Sequence, residues 1–188
     1  MEGMVTFAEA VVSPLPDWAN FYVIVGSSAG ALTGLQFVVI ALIAEGQVAG
    51  SMLEIRAFGT PTIVHFCAAL LISAIVSAPW HVLANPAIAL GAGGMAGIIY
   101  VLTVIRHARR QTGYAPDAED WMWYAGLPML AYASLLGSAA LLARHPAPSM
   151  FAIATITLIL LFIGIRNAWD TVTWIAVARW QQSKDSKD

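Results

Sequence analysis

Charge is what this sequence has least of. Asp, Glu, Lys and Arg supply only 11% of its 188 residues, less than half the roughly 25% of a soluble globular domain. A water-soluble fold cannot cover its surface with so few charges. Cysteine is nearly absent as well: Cys67 stands alone inside an apolar block, which excludes a disulfide framework and any CxxC metal or redox motif. The P-loop, GxSxG, HExxH and dinucleotide fingerprints are missing too, so nothing points to an enzyme. The basic run RHARR at 106–110 closes an apolar block, and membrane topology explains it better than nucleic acid does.

What the chain has in abundance is apolar sequence in long blocks. Hydrophobic residues reach 59% and mean hydropathy is +0.74, which predicts an all-α, polytopic membrane protein. Its length and uniform composition predict one transmembrane domain spanning 1–188. A residue suited to starting a helix precedes each block: Asp17 after Pro16, Thr60 before Pro61, Asn85 before Pro86, Asp117 after Pro116 and Ser149 after Pro148. These N-cap signals predict five transmembrane helices, near 18–45, 61–83, 86–110, 118–143 and 150–178. The opening MEGMVTFAEAVV has no Lys or Arg, unlike a secretory leader, and predicts a retained, short interfacial helix over Met4 to Val12.

Basic residues set the expected orientation. Arg56, Arg106, Arg109, Arg110, Arg179, Lys184 and Lys187 fall on one side of these spans, whereas the other side has Arg144 and the last helix contains Arg166. The positive-inside rule then places the N-terminus outside and the C-terminus in the cytoplasm, in a cell membrane of the bacterial inner-membrane kind. Trp18 and Trp80 mark the outer interface, and Trp121, Trp123, Trp169, Trp174 and Trp180 the inner one.

Small residues recur at helical spacing. Gly26, Gly30 and Gly34 follow one another every four residues in the first helix, Gly93 and Gly97 in the third, and Ala69, Ser73 and Ser77 in the second. Such rows let helix backbones approach closely, either inside one bundle or between copies of the chain. With Ser27, Thr33 and Gln36 as polar lining, the first helix could also surround a narrow pore at the axis of a homo-oligomer.

Polar residues inside the spans form the candidate site. Gln36, His65, Tyr100, Arg166, Asn167 and Asp170 all fall toward the expected cytoplasmic ends of their helices, and intramembrane polar groups are costly unless they serve packing or function. Arg166 and Asp170 stand one turn apart with Asn167 and Thr171 beside them, while Trp169, Val172 and Ala176 lie on another face. Cation before anion is the weaker order for helix support, so the pair is read as gate, interhelical tie or ion site; the alternative is two interfacial charges reaching for headgroups. His65 with His107, and His81 with His145, would be the partners for haem in two bis-histidine sites. The contexts RHARR and RHPAP read instead as a basic edge and a turn, and no cofactor or metal is assigned.

These features predict a small homo-oligomeric channel or transporter-like protein. Two alternatives remain: a noncatalytic accessory or assembly subunit of a larger membrane complex, and a haem-binding redox protein. Lipid and other membrane chains are the expected partners, with no nucleic acid.

Overall fold

The computed structural model describes residues 14–45, 60–109 and 118–185, all-helical with no strand among them. A 3-10 turn, Leu15–Trp18, leads into α1 (Ala19–Glu45). Then come α2 (Thr60–Ser77) and α3 (Ala84–Ala108). The fourth element, α4, joins a first turn Ala118–Trp121, a π-helical turn Met122–Gly126 and a helix Leu127–Leu141. The last, α5, runs over Pro146–Asp185. All five are long and apolar enough to cross a bilayer. The expected helix over Met4 to Val12 and the expected cap Asp117 lie outside the described residues.

Proline chemistry explains most departures from the expected boundaries. α2 stops at Ser77 instead of 83, because Pro79 has no N–H to donate and disfavours helix in the residue before it. Trp80 completes that end, its indole Nε1–H donating to the Ile75 carbonyl at 2.5 Å. α5 begins at Pro146, so Ser149 lies within its first turn and donates its backbone N–H to the His145 carbonyl at 3.1 Å. Pro146 and Pro148 fit there because the first N–H groups of a helix lack intrahelical acceptors anyway. Asn85 is likewise inside α3, whose N-cap is Leu83 with no side-chain cap, and Asp17 lies within the 3-10 turn. In α4, Pro128 would clash with the carbonyl four residues back. The helix widens just before it, and the Leu127 N–H reaches the Met122 carbonyl, a relief that π turns provide.

Packing follows an order different from chain order. α1 packs chiefly on α2, α2 on α5, α5 on α4, and α4 on α3. α5 buries 56% of its most apolar stretch and α1 and α3 only 22% each, so α5 is the central helix and α1 and α3 are the flanks. Trp18 stacks edge-on against Phe151 at 4.8 Å, bringing the starts of α1 and α5 to the same end. At the other end, here called the basic end, Arg109 lies over the Trp121 ring at 5.9 Å and ties α3 to α4. Val23, Ile24, Phe37, Ile88, Ile99, Leu130, Phe151 and Phe162 form a broad apolar exterior, the surface that hydrocarbon would cover.

Candidate functional site: buried polar groups toward the basic end

Glycine decides where helices touch, but not as one continuous row. A Cβ on Gly26 would stand 2.9 Å from Ser73 Cβ, one on Gly30 would only graze Leu70 at 4.0 Å, and one on Gly34 would meet nothing within 4 Å. Each four-residue step overshoots a full turn by about 40° at 100° per residue, so the row rotates by about 80° between Gly26 and Gly34. The first glycine therefore packs on α2, and the last faces outward. In α3 the order is reversed: Gly97 lies under the Tyr132 ring and Gly93 is open. Two glycines not singled out from sequence also make close contacts. An added Cβ would stand 2.9 Å from the Leu136 backbone N at Gly94, and 2.5 Å from Phe66 Cε1 at Gly164. The signal for Gly94 was the alternating three- and four-residue stripe Leu90, Gly94, Gly97, Val101, all buried.

These contacts build two polar groups. In the first, Tyr132 of α4, fitted over Gly97, has its hydroxyl 3.0 Å from Nδ1 of His65 in α2. Tyr100 of α3 approaches the same imidazole edge-on at 6.5 Å. The expected pairing of depth between His65 and Tyr100 is thus a direct ring contact, and Tyr132 is the partner sequence reading missed. His65 is 1% exposed. His107 is exposed and engages the Thr103 carbonyl of its own helix at 2.8 Å, while His81 and His145 are also exposed. Among the described residues no three His, Cys, Asp or Glu side chains cluster as metal ligands.

The second set of buried polar side chains comes from α1, α2 and α5. Gln36, Thr62 and Asn167 are all buried. Gln36 lies ten residues beyond Gly26 and Thr62 eleven before Ser73, or about 15 and 16 Å along their helices. Asn167 lies three residues beyond Gly164 and Thr62 four before Phe66. The three therefore share one level, within about one helical turn. Gln36 belongs to the buried stripe Tyr22, Val25, Ala29, whereas Ser27 is exposed and Thr33 donates to the Ala29 carbonyl of its own helix at 2.8 Å. Those three residues of α1 do not line a common surface. Asn167 is 0% exposed, and neither its Oδ1 nor its Nδ2 has a partner among the described residues.

Arg166 is organised differently. Its Nη1 is paired with Asp170 and its Nη2 donates to Glu119 Oε1 at 2.7 Å, while its guanidinium lies over the Trp123 ring at 5.6 Å. The side chains of Arg166, Asp170 and Glu119 are 33%, 40% and 61% exposed, so this is a rim cluster tying α5 to the first turn of α4. Glu119 and Trp123 were not assigned to it from sequence. Trp169 and Val172 point outward. Thr171 donates its hydroxyl to the Asn167 backbone carbonyl at 2.9 Å, which leaves the Asn167 amide to itself. Comparison with protein-family models, with curated proteins and with solved structures yields no match, so a functional reading rests on these contacts and on chemistry.

Proposed function

We propose that the protein is a small membrane transport protein, a channel or transporter-like bundle, whose polar groups toward the basic end handle the solute or ion. The observation that carries this reading is the fully buried Asn167 amide, without a partner among the described residues and at one level with buried Gln36 and Thr62. Burying an amide without a partner costs about 1–3 kcal/mol by mutational measures. Packing alone gives no reason to retain it, and ligand handling does. In this reading the basic end faces the cytoplasm, the N-terminus lies outside, and the Arg166, Asp170 and Glu119 cluster closes the cytoplasmic mouth. The outward faces of α1 and α3 serve self-association in a cell membrane, of the bacterial inner-membrane kind.

Reconstitution tests the proposal. Purified protein in proteoliposomes should carry osmotic or ionic flux above empty liposomes, and its detergent-corrected mass should exceed one chain. A C-terminal fluorescent reporter should be bright in cells. A dark reporter with an active periplasmic phosphatase fusion at the same site reverses the orientation. A noncatalytic accessory subunit is the second reading, favoured by Gly34 and Gly93, whose added Cβ would meet nothing within 4 Å. Absence of flux in every preparation, with a larger complex recovered from the native membrane, selects that reading.

A further inference from the structure

Resting on the transport reading, we infer that Asn167 and Gln36 form a site for a small uncharged solute bearing both a hydrogen-bond donor and an acceptor, of the size of water or acetamide. The amide of Asn167 offers one acceptor and one donor group, both unsatisfied among the described residues and both fully buried. Nearby hydroxyl and imidazole groups are committed elsewhere: Thr171 to a backbone carbonyl, and His65 to Tyr132. Gln36, buried at the same level on α1, offers the same complementary pair of groups. A neutral amide or water can bond to both atoms of such a side chain at once.

Charge selects against a bare ion. Among the described residues the buried polar ones are Gln36, Thr62, His65, Ser73, Ser149, Thr157 and Asn167, and none is an acid, a lysine or an arginine. Arg166 and Asp170, beside Asn167 on α5, belong to the partly exposed rim, where Arg166 is paired with both Asp170 and Glu119. A cation that gives up its hydration shell needs several oxygen ligands or a countercharge, and two amide oxygens supply neither. A neutral solute sheds far less solvation free energy and regains it in the hydrogen bonds that Asn167 lacks.

Binding and flux separate this inference from the reading beneath it. In detergent, saturation-transfer NMR on the acetamide methyl should give a saturable signal with wild type, reduced at least fivefold in Asn167→Leu and Gln36→Leu and unchanged in Trp169→Leu on the outer face. In proteoliposomes, isotonic swelling in acetamide and osmotic water permeability should fall in the same variants. Asn167→Leu should also melt no lower than wild type, because it removes an unpaired buried amide; Asn167→Ala repeats the test with a smaller side chain. Loss of water permeability alone in these variants identifies water as the occupant and supports the class. Saturable acetamide binding without any flux keeps the site and ends the transport reading. Sodium or potassium flux that depends on Asn167, with no acetamide signal, overturns the inference and leaves transport standing. Absence of both an acetamide signal and Asn167-dependent water permeability overturns it as well.

Discussion

Replacing Gly94 with alanine should loosen α3 from α4, while the same change one residue earlier, at Gly93, should be silent. A Cβ at position 94 would lie 2.9 Å from the Leu136 backbone N, 3.1 Å from the Tyr132 carbonyl oxygen and 3.2 Å from Leu136 Cα. Backbone atoms inside a helix cannot rotate aside, so the two helices must separate. Overpacking of this kind costs about 1–3 kcal/mol. Gly93 has nothing within 4 Å of an added Cβ, and alanine there should change stability by less than about 1 kcal/mol, in the favourable direction that helix propensity gives. At about 2–4 °C per kcal/mol for a chain of this size, Gly94→Ala should melt about 2–12 °C lower. Near-UV circular dichroism is the suitable probe, because membrane helices persist when their tertiary packing is lost. Equal melting of the two variants would refute the assignment of the contact to Gly94.

Three other outcomes follow from the same contacts. Tyr132→Phe removes the partner of buried His65 and should cost about 1–3 kcal/mol, whereas His65→Leu combined with Tyr132→Phe should recover part of that loss; additive melting shifts would show that the hydrogen bond carries no coupling. Because the Arg166 and Asp170 side chains are 33% and 40% exposed, a double-mutant cycle to leucine should report about 0.2–1 kcal/mol of coupling, and a value of about 3–5 kcal/mol would indicate a buried pair instead. Gly34→Leu should lower the oligomeric mass in mild detergent without lowering the melting temperature, since none of the described residues packed against that position lies within 4 Å of an added Cβ; a wild type that is monomeric in both detergent and nanodiscs removes the oligomer from the proposal.

Composition and hydrophobic pattern determined the all-helical class and the number of helices long and apolar enough to span a membrane, because a bilayer demands about 20 apolar residues per helix and leaves few alternatives to helix. Proline positions already held the reasons for the ends of α2 and α5, yet the capping residues drew attention to Ser149, three residues inside α5. Pro128 was equally visible, but whether a proline produces a kink, a break or a π turn depends on what the neighbouring helices allow. The inward turn of Gly26 and the outward turn of Gly34 needed the tertiary structure, since a strict four-residue spacing drifts off any one face and only a partner helix shows where contact begins. His65, Arg166 and Asn167 were legible as polar residues at similar positions along the long apolar helices. Their division into a bonded imidazole, a rim ion cluster and an unpaired amide was not, because α4 brings Tyr132 to His65 and Glu119 to Arg166, while no partner among the described residues reaches the Asn167 amide. Local sequence carries periodicity and depth, and the identity of a buried group's partner is decided only when the helices pack.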